Sequence, residues 1–134
     1  MDGNKPLFDE SDLIFVYSRK QALEDGVQVD ANVGDFADVT LRHFHFPVYM
    51  TRTLFDLIQK KVERRGSYYD YKGIWHDICW MARVAAGRSA NRNATEITFQ
   101  VKIGRKVETL VAMVGALDFD DPQPAITIMF PGED

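Results

Sequence analysis

The chain of 134 residues contains one cysteine, three histidines and no long apolar run. A single cysteine excludes an internal disulfide, and with it the disulfide-stapled secreted scaffolds, and it favours a reducing compartment. No stretch approaches the ~20 apolar residues that a membrane helix needs, and no signal peptide marks the start. We therefore expect a cytoplasmic protein that does not contact a membrane.

The common signatures of catalysis and cofactor binding are also missing. The sequence contains no phosphate-binding loop, no dinucleotide fingerprint, no nucleophile elbow and no H-E-x-x-H zinc motif. The acidic group Asp118, Asp120 and Asp121 lacks the spacing and the distal glutamate of a calcium loop. We therefore expect no cofactor and no catalytic residues.

The chain has an ordinary globular composition, with 46% apolar and 27% charged residues. Its length predicts a single domain over residues 1–134, and its polar start predicts a loose leader over residues 1–11.

Charge is distributed unevenly although the net charge is only −4. Residues 1–38 hold 9 acidic and 3 basic residues (−6), residues 39–109 hold 6 acidic and 13 basic residues (+7), and residues 110–134 hold 5 acidic residues and no basic one (−5). The basic middle segment could face nucleic acid, or the acidic segments could pack beside it and cancel its charge.

Helical spacing of apolar residues dominates the first two-thirds of the chain. It predicts short helices over residues 18–26 and 34–44 and longer ones over 53–65 and about 71–87. The last helix is apolar nearly all round, since Trp80 lies outside its main stripe. This pattern indicates burial between two layers or an apolar site that receives a partner.

Strand patterns follow in the last third. Residues 96–103 alternate cleanly, residues 107–119 are apolar on both faces, and residues 125–130 form a third apolar run. Residues 12–17 predict a short N-terminal strand or an extended lead-in. The predicted fold is α+β, with the helices packed on a C-terminal three-stranded antiparallel β-meander.

The three histidines and the cysteine form a weak candidate metal set: His43, His45, His76 and Cys79. Zinc needs four such ligands in a tetrahedron, but no compact repeating pair of ligands occurs here. We interpret the first two histidines as solvent-facing neighbours of buried Phe44 and Phe46, and we expect no metal. Cys79 could instead be a nucleophile with His76 as its base, but free cysteines are most often buried.

Basic and aromatic residues are concentrated around the end of the third helix. Lys60, Lys61, Arg64 and Arg65 form a candidate nucleic-acid surface. The neighbouring Tyr68 and Tyr69 could stack on bases. The alternative is a solvated helix end whose cations match the helix dipole. Tyr68, Tyr69 and Trp80 are the candidate protein-binding residues.

Four blocks of sequence resemble an uncharacterised domain family of bacterial, plasmid and phage proteins. These blocks are FVYSRKQALEDGVQVD, FPVYMTRTLFDLI, WMARVAA and ITIMFPGED. The resemblance carries no catalytic set, and it implies an accessory role in a mobile element. We therefore expect a non-enzymatic protein that binds a host or element-encoded protein, for example to counter host defence. A nucleic-acid-binding accessory protein is the alternative, and a small metal- or cysteine-dependent enzyme is the third reading.

Overall fold

The computed structural model describes residues 17–89 and 94–133. The predicted leader lies outside these residues, as does the predicted N-terminal strand except for its last residue, Tyr17. The described elements are, in chain order, α1 (Arg19–Glu24), β1 (Gln28–Asp30), a 3-10 turn (Gly34–Phe36), α2 (Ala37–His43), β2 (Val48–Thr51), α3 (Arg52–Glu63), α4 (Tyr71–Arg88), β3 (Glu96–Ile103), β4 (Lys106–Asp118) and β5 (Asp121–Met129).

The five strands form one mixed sheet in the order β1-β2-β5-β4-β3. Strands β3, β4 and β5 pair antiparallel, as predicted. The prediction of a three-stranded sheet nevertheless omits two strands, because β2 pairs parallel with β5 and β1 pairs antiparallel with β2. Strands β1 and β2 have only three and four residues, and β2 shows no alternation because Val48, Tyr49 and Met50 are all buried. Such short segments lack the period-2 signal of a strand.

Local side-chain caps explain where the helices begin. Ser18 accepts from the amide of Gln21 at the start of α1, and Thr51 is the corresponding cap of α3. Asp70 Oδ1 accepts from the amide of Gly73 at 2.6 Å and so starts α4. None of the described helices combines the length and apolarity that crossing a membrane requires.

Helices α3 and α4 pack on one face of the sheet and enclose the core, in which Trp75 is fully buried. The Trp75 indole donates to Thr40 Oγ1 at 2.9 Å, and Thr40 in turn donates to the Ala31 carbonyl at 2.6 Å. This chain of hydrogen bonds holds α2 against α4. The prediction that Phe46 is buried is wrong, because that side chain is 44% exposed.

The other face of the sheet carries a polar group that we call the Arg19 cluster: Arg19, Gln28, Tyr49 and Thr127. The Arg19 guanidinium donates to the Leu117 carbonyl at 2.6 Å, to Gln28 Oε1 at 2.8 Å and to Thr127 Oγ1 at 3.1 Å. It also lies over the Tyr49 ring, 4.3 Å from its centroid. Through these contacts Arg19 fixes α1 to four strands, β1, β2, β4 and β5.

Candidate functional site

A tight turn follows α3 and orients the residues after it. Gly66 has a φ of 75°, a left-handed conformation that glycine adopts without strain. The Ser67 hydroxyl donates to the Lys61 carbonyl at 2.6 Å and accepts from the Tyr69 amide at 3.0 Å. Its own amide donates to the Arg64 carbonyl at 2.9 Å. The turn is therefore held by three hydrogen bonds centred on one serine.

The β3–β4 hairpin packs its tip against this turn. Gly104 has a φ of 69°, and a Cβ atom at that position would lie 3.1 Å from Cδ of Lys61. The missing side chain therefore allows the close approach of the Lys61 stem, and Arg105 follows directly beside it.

Turn and hairpin together enclose a cleft of about 390 Å³, which we call the cationic cleft. Its charged and aromatic lining residues are Lys61, Arg64, Arg65, Tyr68, Tyr69 and Arg105. No carboxylate lines it, and within residues 17–89 and 94–133 none of its four cations forms an ion pair. The Tyr68 side chain is fully exposed, and Tyr69 is 42% exposed. The cleft thus presents unpaired positive charge beside accessible aromatic rings.

Three of the four predicted cations line this cleft, and Lys60 does not. Lys60 lines an adjoining depression together with Asp56 and Glu63, and Lys61 and Arg64 line both this depression and the cleft. Arg105 was missed, because it lies about forty positions away in the chain and only the folded hairpin brings it near Arg64. Its only sequence signal is its place in the tight turn after a predicted strand.

A second polar group joins α2 to α4. His43 Nε2 lies 2.9 Å from His76 Nδ1, and Arg83 Nη1 lies 3.2 Å from His43 Nδ1. Arginine is always a donor, so His43 Nδ1 accepts and its Nε2–H donates to His76. Burial, followed by the charges of His76, Arg83 and Arg42, holds the pKa of His43 below its ordinary value. The arrangement therefore favours a neutral His43 imidazole.

The remaining members of the candidate metal set do not join this pair. These members are His45 and Cys79. Cys79 is fully buried in the core, where burial raises the pKa of its thiol, whereas His45 is exposed, as is His76 of the pair. Among the described residues, no group of three or more histidine, cysteine, aspartate or glutamate side chains is placed to hold a metal ion. A buried neutral thiol is also a poor nucleophile.

Trp80, a predicted protein-binding residue, lies at the edge of the histidine pair and is 50% exposed. Its ring centroid lies 6.4 Å from that of His43, and the Arg83 guanidinium carbon lies 5.9 Å from it. Trp80 does not line the cationic cleft, unlike the two tyrosines with which it was grouped.

Comparison with known proteins identifies a family match. Residues 4–134 match a family of unknown function (DUF6573). No curated protein and no solved structure matches the chain.

Proposed function

The chain belongs to a family of unknown function, DUF6573, and we propose that it binds nucleic acid through the cationic cleft. The proposal rests on one observation: four cations from two separate chain segments line one cleft, and no carboxylate belongs to the described lining of that cleft. Cations that have no partner inside a protein are suited to phosphate oxygens, whose contacts dominate nucleic-acid affinity.

The aromatic wall of the cleft favours an unpaired strand over a duplex. The Tyr68 ring is fully exposed to solvent. The hydrogen bond from the Tyr69 amide to the Ser67 hydroxyl restrains the backbone on either side of Tyr68. Bases stack on such rings only when they are not already stacked inside a duplex. The phosphates would contact Arg64, Arg65 and Arg105 while a base stacks on Tyr68.

Fluorescence anisotropy with a labelled single-stranded oligonucleotide tests this function. Four phosphate contacts predict a slope of about −3 in log affinity against log salt concentration, at roughly −0.7 for each contact. Absence of binding at low salt, or binding that salt does not weaken, would contradict the proposal.

Arg105→Ala and Lys20→Ala form a matched pair of single-charge variants. Lys20 is exposed, and its amide donates to Asp118 at the far end of β4, so it lies roughly 40 Å from the hairpin tip at ~3.3 Å per strand residue. We expect Arg105→Ala to lower the affinity and flatten the salt slope by about 0.7. Lys20→Ala should bind like the parent protein.

A second candidate function is binding of a host or element-encoded protein through Trp80. A half-exposed tryptophan beside an arginine is the kind of residue that dominates binding energy in protein interfaces. The resemblance to bacterial, plasmid and phage proteins favours an accessory role of this kind, including the countering of host defence. A pull-down tests this function. A partner that the parent protein and Leu41→Ala capture but Trp80→Ala does not would support it. Leu41 is the control because it is another exposed apolar residue, with 77% of its surface accessible.

We also propose that the protein is not an enzyme. The support is local: the one thiol is buried in the core, and among the described residues the ring nitrogens of His43 contact His76 and Arg83 and no carboxylate. Hydrolysis of a phosphodiester or peptide substrate that His76→Ala abolishes would contradict this proposal.

A further inference from the structure

Strand β3 is the last strand of the described sheet, and its outer edge has no neighbour among residues 17–89 and 94–133. The amide of Val114 donates to the carbonyl of Thr95 at 2.7 Å, in line with the β3–β4 register. Hydrogen-bonded positions alternate along an antiparallel pair, so odd-numbered residues of β3 bond to β4. The amides and carbonyls of Thr98 and Gln100 therefore point outward.

We propose that β3 pairs with β3 of a second copy of this chain, antiparallel about a twofold axis at Phe99. In this register Thr98 of each copy lies opposite Gln100 of the other, so the outward groups of both strands bond to each other. Glu96 of each copy lies opposite Lys102 of the other. The pairing thus converts two unsatisfied edges into one continuous sheet.

Charge order along β3 selects a second copy in antiparallel orientation. Glu96 lies at one end of the strand and Lys102 at the other, both are exposed, and neither forms an ion pair within the described part of the chain. Opposite charges directly across a strand pair stabilise it, whereas like charges destabilise it. An antiparallel copy forms two such ion pairs, but a parallel copy would place Glu96 beside Glu96.

The helix layer supplies an apolar contact along the same edge. Met81, Val84 and Ala85 of α4 form with Ile97 and Phe99 the apolar part of a groove of about 590 Å³ at the side of β3. Arg88 and Glu96 are among its polar lining residues. A twofold axis at Phe99 brings the α4 helices of both copies to the same face of the extended sheet, groove against groove. This contact accounts for apolar residues of α4 that the core of one copy does not fully bury.

Analytical ultracentrifugation of the full chain across a concentration series tests the proposal. We expect the parent protein to reach twice its 15.3 kDa chain mass. Glu96→Lys and Lys102→Glu should each weaken the dimer roughly tenfold, because each places two like-charge pairs across the axis. The double variant should restore the parent affinity. A parent that stays monomeric, or a double variant as weak as the single ones, overturns the proposal.

Thr98→Pro provides an independent test that involves no charge. Proline removes an outward amide without breaking a hydrogen bond to β4, so the fold should survive while the dimer is lost. Thr98→Val keeps the amide and should remain dimeric. Circular dichroism of each variant confirms folding, and a folded, dimeric Thr98→Pro contradicts pairing through this edge.

Discussion

The Arg19 cluster and the cationic cleft both place arginine beside tyrosine, but they differ in whether the arginine donors have acceptors within the described part of the chain. In the cluster, the Arg19 guanidinium contacts three acceptors and lies over the ring of Tyr49. In the cleft, the guanidinium groups of Arg64, Arg65 and Arg105 have no acceptor among the described residues. The first arrangement uses its donors to build the fold, whereas the second leaves them for a ligand.

The difference teaches that local composition does not separate a structural cation from a binding one. Arg19 precedes Lys20 just as Arg64 precedes Arg65, so both segments look like short basic runs. What separates them is the surroundings. Burial lowers the pKa of Arg19 and raises that of Tyr49, whereas Tyr68 is fully exposed. Substitutions in the two regions should therefore affect different properties.

The largest effect should follow from replacing Arg19 by methionine. Methionine keeps much of the side-chain volume but leaves the Leu117 carbonyl, Gln28 and Thr127 without their donor. Because hydrogen bonds to a charged group each contribute about 1.5–3 kcal/mol and this site is half-buried, we expect a loss of roughly 2–3 kcal/mol in the free energy of unfolding. Urea denaturation measures this loss.

Arg65→Met is the matched control for that measurement, since it removes the same side chain from the cleft. Its free energy of unfolding should stay within about 0.5 kcal/mol of the parent value, as for other surface substitutions. Equal losses in the two variants would remove the distinction between the regions.

The next largest effect concerns oligonucleotide affinity, which should depend on the cleft and not on the Arg19 cluster. Arg65→Met should lower the affinity about tenfold, or ~1.4 kcal/mol, because one phosphate contact is lost. Arg19→Met, assayed below its unfolding transition, should bind like the parent protein. An affinity loss for Arg19→Met alone would place the binding surface on the outer sheet face instead.

Much of the fold follows from periodicity, because long elements carry enough residues to show it. Helices α3 and α4 and strands β3 and β4 lie within two residues of their predicted bounds, whereas β5 begins at Asp121, four residues before its predicted start. Strands β1 and β2 could not be predicted in the same way. Their three and four residues show no period, and the parallel pairing of Val48 with Ile126 joins segments far apart in the chain. Nothing local specifies that pairing.

The site was predictable only where one chain segment supplies it. Lys61, Arg64 and Arg65 lie together because the end of a helix and its turn place them there. Arg105 and the His43–His76 contact depend on how separate elements pack, and no spacing in the sequence encodes that distance. Long-range geometry therefore limits what the residues alone reveal about a site.

A smaller effect should separate the two tyrosine environments. Tyr68→Ala should weaken oligonucleotide binding about fivefold, or ~1 kcal/mol, because one stacking surface is lost. Tyr68→Phe keeps the ring and should bind like the parent protein. Neither change should alter the free energy of unfolding, since the Tyr68 side chain is fully exposed. Anisotropy titrations measure the affinities, and equal losses for both variants would point to the hydroxyl group rather than to stacking.

The smallest effect should be a dependence of stability on pH. It concerns Arg83, whose surroundings are intermediate between those of Arg19 and those of the cleft arginines. Arg83 has an acceptor, like Arg19, but that acceptor is the titratable His43. Burial and the neighbouring charges lower the pKa of His43 in the folded protein. As pH falls below the unfolded value of about 6.5, the unfolded chain therefore takes up this proton first. Stability should be complete above that pH and decline below it.

Thermal unfolding of His43→Asn and His45→Asn from pH 7.5 to 5 isolates this contribution. Removal of His43 should flatten the decline, whereas removal of the exposed His45 should leave it unchanged. Identical profiles would mean that other groups cause the decline. Protonated His43 can no longer accept a hydrogen bond from Arg83. Acidification therefore removes the acceptor of Arg83, which then resembles the cations of the cleft in this respect.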